Sequence, residues 1–128
     1  MDENTLSYQI IRAAIEVHRT LGGPGLLESV YEEALVWELT EADFRIERQK
    51  LVPIKYKNVD LVSPLRADLI VNNMVIVECK ATTEYHRIFE VQTLTYLRLT
   101  GLRLGLVINF GEQHVKNGIH RVVNGLHE

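Results

Sequence analysis

Cysteine is almost missing from this 128-residue chain: one residue, Cys79, leaves no partner for an intramolecular disulfide and no thiolate set for a Cys-based zinc site. Proline is scarce too, at three residues, and 46% hydrophobic with 24% charged side chains is not the composition of a disordered chain. No run approaches the roughly 18 apolar residues that span a bilayer, and the opening MDENTLSYQI is polar and acidic where a secretory signal would be basic and then apolar. A strong excess of one charge is also lacking. The formal net charge is −3, with 7 basic and 11 acidic residues in positions 1–64 and 7 and 6 in positions 65–128. Nucleic-acid binding through bulk basicity is therefore excluded, and any such contact needs a local patch. What remains is one ordinary domain over residues 1–128, expected to be cytoplasmic, with no membrane partner and with its thiol reduced.

Hydrophobic periodicity supplies the elements. Ile10, Ala14, Val17 and Leu21, with Ile11, Ile15 and His18 alongside, recur at helical spacing over residues 5–20. Gly22, Gly23, Pro24 and Gly25 break that helix, and a second, from Leu26 to about Thr40, carries Leu27, Tyr31, Ala34 and Leu35 on one stripe with Glu32, Glu33 and Glu41 left for solvent. Phe44, Ile46, Val52, Ile54 and Tyr56 share one parity, which predicts a strand, and Pro53 argues for a sheet edge. Thr82 and Thr83 are candidate caps for a third helix, from about Tyr85 to Thr100, ending at Gly101. Leu104–Phe110 reads as a buried strand and Gly118–Val123 as one more. The expected fold is α/β (α+β): a central mixed sheet flanked by helices, in the order α-α-β-β-β-α-β-β.

The segment Leu65–Lys80 reads as a hairpin about Asn72 and Asn73, residues that tolerate positive φ. A two-residue loop would set Asp68 opposite Val77 and Ala67 opposite Glu78, mixing polar and apolar on each face. A three-residue loop sets Asp68 opposite Glu78 and Arg66 opposite Lys80, and collects Leu69/Val77, Val71/Val75 and Ala67/Cys79 on the other face. The second register is expected, because a one-residue slip flips every side chain and only this register sorts the faces.

In that register Asp68, Glu78 and Lys80 project together. Two carboxylates with carbonyl and water oxygens suit a hard divalent ion such as Mg²⁺, and the ion offsets the cost of holding two acids close. An ion held there would polarise a phosphodiester and acidify a bound water, with the adjacent Lys80 orienting that water or stabilising the developing charge. A cross-strand surface cluster of Asp, Glu and Lys explains the same spacing without any chemistry.

The surroundings bear on that choice. Asp68, then Glu78-Cys79-Lys80, then a helix with Gln92-x-x-x-Tyr96 resembles the PD-(D/E)XK nuclease superfamily, and Gln-x-x-x-Tyr is similar to the motif of its exonuclease-like branch. Gly25-x-x-Glu28-x-x-Tyr31 resembles the signature of the GxxExxY family, small proteins assigned to that superfamily, and Ala34-Leu35, Arg66-Ala67-Asp68, Asn109-Phe110-Gly111 and Gly118–Arg121 agree in order. The likeness covers roughly residues 8–124. It implies a restriction-endonuclease-like core and a nuclease using Mg²⁺ or Mn²⁺ on DNA or, secondarily, RNA. It implies Asp68 and Glu78 as metal ligands, the carbonyl of Cys79 as a third, Lys80 as the catalytic lysine, and Glu28 as a helical acid near the same metal. Gln92 and Tyr96, which share a helix face, would position Lys80 or a substrate phosphate, with Arg66 beside them. Ala67 stands where the superfamily name has proline. An inactive binding module on the same fold, for nucleic acid or for protein, is the alternative.

The other residues divide more simply. Arg45, Arg48, Lys50, Lys55 and Lys57 form the one dense basic stretch; Arg48 and Lys50 are its candidate phosphate contacts, and a solvated edge strand is its plain reading. The plain reading of Glu28, weaker than the functional one, is a helix-start acid in water, and that of Tyr96, Tyr31 and Trp37 is a core residue. Cys79 alternates to the apolar face and reads as a buried thiol. The five His show no zinc spacing; His86, near the hairpin's end, could reach a phosphate. A nuclease cutting both strands of a duplex needs two sites, and the edge near Val52–Tyr56 could pair two copies into a homodimer.

Overall fold

The computed structural model describes residues 1–126. Asp2 caps the first helix, α1 (Glu3–Thr20), its carboxylate accepting from the Thr5 amide at 2.8 Å. The glycine-rich break comes next, and α2 runs over Glu28–Glu41. Tyr31 anchors the break: its hydroxyl donates to the Gly23 carbonyl at 2.7 Å and accepts from the Leu26 amide at 3.2 Å. Strands β1 (Ile46–Val52), β4 (Leu65–Val71), β5 (Val75–Lys80), β6 (Leu104–Asn109) and β7 (Ile119–Val123) form one mixed sheet in the order β1-β4-β5-β6-β7. Only β5 and β6 are parallel, joined through α3 (Ile88–Thr100), which ends at Gly101 with φ 76° as a left-handed cap.

The sheet separates two apolar layers. Leu6, Ile10, Ala14 and Val17 of α1 and Tyr31, Leu35 and Leu39 of α2 pack with Leu69, Val71, Val75, Val77, Cys79, Leu106 and Ile108. Leu97 of α3, with Phe89 and Tyr96, packs with Ile70, Ile76, Val107 and Val122. Gly105 in β6 permits that second contact, since a Cβ there would lie 2.6 Å from the Thr93 methyl. The expected α+β architecture is therefore present. Among the described residues, no helix is long and apolar enough to cross a membrane.

The hairpin has the three-residue loop, with Asn72 and Asn73 at φ 51° and 53° and Leu69 opposite Val77, Ile70 opposite Ile76 and Val71 opposite Val75. Four expectations need correction. The first strand stops at Val52 rather than continuing to Tyr56; after Pro53 the chain makes a separate ribbon, β2 (Lys55–Tyr56) with β3 (Val59–Asp60), turning through Lys57 and Asn58 at φ 49° and 67°. This ribbon adds two short strands to the expected order. Nor does the strand's parity define one face: Ile46 packs in the layer under α1 and α2, Val52 in the layer under α3. Gln49, between them, has φ 53°, and a left-handed residue inside a strand rotates the side chains beyond it. Helix α3 begins only at Ile88, because Thr82 closes a local turn with Glu84, its hydroxyl donating to the Glu84 carbonyl and accepting from the Glu84 amide. Finally, Trp37 is 61% exposed, while Glu32 is buried.

Candidate metal and phosphodiester site

The hairpin that organises the site stops pairing where the acids begin. Beyond Leu69 and Val77 the two strands are joined through side chains: the Asp68 amide donates to Glu78 Oε2 at 3.1 Å, and the Cys79 amide donates to Asp68 Oδ2 at 2.9 Å. Asp68 and Glu78 thus take the places of ladder carbonyls and sit face to face, as the three-residue register requires, but the expected Ala67/Cys79 pairing on the other face fails: with the ladder ended at Leu69 and Val77, Ala67 packs in the layer under α3 and Cys79 in the layer under α1 and α2. Lys80, two residues on from Glu78, extends to the same side, its Nζ 4.6 Å above the Phe89 ring.

A polar cleft of about 130 Å³ is lined by Arg66, Asp68, Glu78 and Lys80 from the hairpin and by Phe89, Gln92, Thr93 and Tyr96 from α3. The i, i+4 spacing of Gln92 and Tyr96 does bring both to one wall. Burial and the negative charges of Glu78 and Asp68 push the Tyr96 phenol up, so it stays a neutral donor. Glu28 is not in this cleft. It lies behind it, at the start of α2, in a second hollow shared with Leu27, Ser29, Glu32, Gln49 and Asp68, so Asp68 forms a wall common to both. Partial desolvation raises the Glu28 carboxyl, and the nearby Lys80 charge opposes that rise.

Glu78 carries the sharpest electrostatic signature. It is 6% exposed, and burial together with the Asp68 charge pushes its carboxyl up to about 9. Its Oε1 is buried with no hydrogen-bond partner. An orphaned carboxylate oxygen beside a second acid is a site where a cation would replace missing hydrogen bonds. The donor set therefore fits a hard divalent ion, with Asp68 and Glu78 as oxygen ligands and room for a backbone carbonyl such as that of Cys79 and for water. Among the described residues, no group of three His, Cys, Asp or Glu side chains is assembled to hold a metal, and Glu28 is thus not grouped with Asp68 and Glu78 as the chain stands. Cys79 itself is fully buried, its thiol pushed well above its usual range by desolvation, which suits a packing role for its side chain.

Sequence reasoning missed Glu32 and Gln49. Buried Glu32 accepts from Arg48 Nε at 2.7 Å and from Gln49 Nε2 at 2.9 and 3.1 Å, and the same Gln49 nitrogen reaches Asp68 Oδ1 at 3.4 Å. No signal in the helical pattern of α2 singles Glu32 out from Glu33. Sequence reasoning singled out Asn109 only as part of the family likeness and gave it no role; it is buried at the end of β6, and its side chain accepts from the Thr82 and Gly111 amides and donates to the Thr82 carbonyl, tying the chain just after Lys80 to β6. The expected basic patch is largely neutralised by its neighbours. Arg48 is bound to Glu32, Lys50 to Glu47 at 2.9 Å and Lys55 to Asp60 at 3.1 Å, and neither Arg48 nor Lys50 lines the polar cleft. His86 is exposed and outside the cleft.

A mixed sheet covered by helices on both faces, with two acids and a lysine on a splayed central hairpin, defines the class: a restriction-endonuclease-like protein. A family model of the PD-(D/E)XK nuclease superfamily matches residues 4–122, and the chain belongs to that superfamily. No curated protein and no solved structure matches it significantly.

Proposed function

We propose that this protein is a divalent-metal-dependent nuclease that hydrolyses phosphodiesters in DNA, or secondarily RNA, with Mg²⁺ or Mn²⁺. The observation that carries the reading is the buried, unpartnered Oε1 of Glu78 beside Asp68. Asp68 and Glu78, with the Cys79 carbonyl, would hold the ion, and Glu28 would reach it from the hollow behind. When bound, such an ion acidifies a water and neutralises charge on the scissile phosphate. Lys80, held over Phe89, points its ammonium into the cleft, where it orients a water or balances the extra negative charge of the pentacoordinate phosphorus. Tyr96 donates to a phosphate oxygen, and Gln92 and Arg66 hold the flanking backbone. The Gly25-to-Tyr31 segment supports placing the chain in the GxxExxY group. The buried lone thiol of Cys79 supports a cytoplasmic setting.

A silent binding module is the second reading, favoured by the internal pairing of Arg48, Lys50 and Lys55 and by the net charge of −3. Titration of Mn²⁺ and Mg²⁺ into wild type and Glu78→Ala, with cleavage of linear, nicked and single-stranded DNA, separates the two. Binding and cutting that both vanish in Glu78→Ala support the nuclease; a wild type that does neither supports the module. Cutting both strands of a duplex calls for two sites, and the unpaired edge of β1 is where a second copy would add; light scattering reads the oligomeric state.

A further inference from the structure

Gln49 combines two features that are individually uncommon. Its backbone has φ 53° inside β1, a conformation that costs a non-glycine residue energy and persists only where its surroundings impose it. Glycine would adopt that backbone freely, and the position is exposed, so the backbone alone does not call for glutamine. Its side chain supplies the second feature. One amide nitrogen with two hydrogens stands between two carboxylates, 2.9 Å from Glu32 Oε1 and 3.4 Å from Asp68 Oδ1. Gln49 lies across from Asp68 in the β1–β4 register, between the pairs Arg48/Leu69 and Lys50/Ala67.

We infer that Gln49 is a positioning residue that holds the Asp68 carboxylate in its working orientation, steered in turn by Glu32. The arrangement results from charge and geometry. Arg48 neutralises Glu32, so Glu32 can be buried as an acceptor and fix the plane of the Gln49 amide. The amide's other hydrogen then meets Asp68 Oδ1, while the Cys79 amide holds Oδ2. Both Asp68 oxygens are thereby oriented by neutral donors, which leave the carboxylate its charge and its remaining lone pairs for a ligand. A charged donor in place of Gln49 would compete with any cation. The left-handed backbone is what aims this side chain inward from an edge strand. The inference rests on the nuclease reading and deepens it, since it makes Asp68 a ligand whose aim is set from α2 and β1.

The test is Gln49→Gly, which relieves the backbone and removes the amide. Mn²⁺ binding is measured by titration calorimetry, thermal unfolding by circular dichroism, and protection of the Cys79 amide by hydrogen exchange in metal-free protein. The expected result is an unchanged or raised melting temperature, an Mn²⁺ affinity lower by about tenfold or more, as for other groups that orient metal ligands, and lost protection at Cys79 with that at Val77 retained. A residue needed only for the strand's turn would show none of the last two effects. Unchanged affinity or unchanged Cys79 protection overturns the inference. A wild type that takes up no Mn²⁺ overturns the metal reading instead, and the Cys79 amide alone then decides the role of Gln49.

Discussion

Lys80 Nζ stands 4.6 Å above the centre of the Phe89 ring. The lysine comes from the end of β5 and the ring from the first turn of α3, so the contact ties the ammonium to the helix that supplies Gln92 and Tyr96. A flexible four-carbon side chain is thus given a preferred place in the cleft by an aromatic face.

Phe89→Leu keeps apolar bulk and removes that face. Single-turnover cleavage should slow by about tenfold through misplacement of Lys80, while urea denaturation should show a loss of only about 1 kcal/mol. Equal loss in rate and in folded fraction would assign Phe89 to packing alone.

The Glu78 carboxyl makes stability pH-dependent. Its proton is held in the native state up to about 9 but only to about 4.5 in the unfolded chain. Between those values the native state binds the extra proton, so metal-free stability falls as pH rises, by at most about 1.4 kcal/mol per unit. Below that window the contribution is fully present. Urea midpoints measured from pH 5 to pH 8.5 should decline in wild type and decline less in Glu78→Gln. Uptake of a divalent ion at neutral pH should release a proton, seen as a binding heat that changes with the buffer's ionisation enthalpy.

Arg48→Ala removes the cation from Glu32, whose side chain is 7% exposed, and leaves that carboxylate with Gln49 alone. A stability loss of about 2 kcal/mol is expected in denaturant unfolding. Arg48→Ala combined with Glu32→Gln should recover part of it, which a phosphate-contact role for Arg48 would not produce.

Gly111→Ala should be costly although the position lies in a loop. A Cβ there would fall 2.3 Å from the Thr82 carbonyl oxygen, against a residue whose backbone amide and carbonyl Asn109 already binds. A loss of about 3 kcal/mol by thermal unfolding is expected, with Gly22→Ala, where a Cβ meets nothing within 4 Å, showing only the backbone strain of its φ of 90°.

The hairpin shows why so much of the site is legible in the sequence. Its alternation of apolar and polar residues admits one register that sorts the faces, and that register alone sets Asp68 opposite Glu78 with Lys80 alongside. The i, i+4 spacing likewise puts Gln92 and Tyr96 on one wall. The pattern of α2, by contrast, leaves Glu32 for solvent and Trp37 for the core. The structure reverses both, because that pattern does not say which strand will lie against the helix.

The chain by itself determined the three α-helices and the five main-sheet strands found among the described residues, and the residues of the acidic pair, since each arises from periodicity or turn chemistry over a few neighbouring positions. Only the tertiary structure decided what surrounds that pair. The Glu32–Gln49–Asp68 bridge joins residues 17 and 19 positions apart through one left-handed torsion that glutamine does not favour, and the splaying of β4 from β5 depends on side chains replacing ladder bonds. Such contacts are set by how elements pack, and local sequence preference carries no record of them.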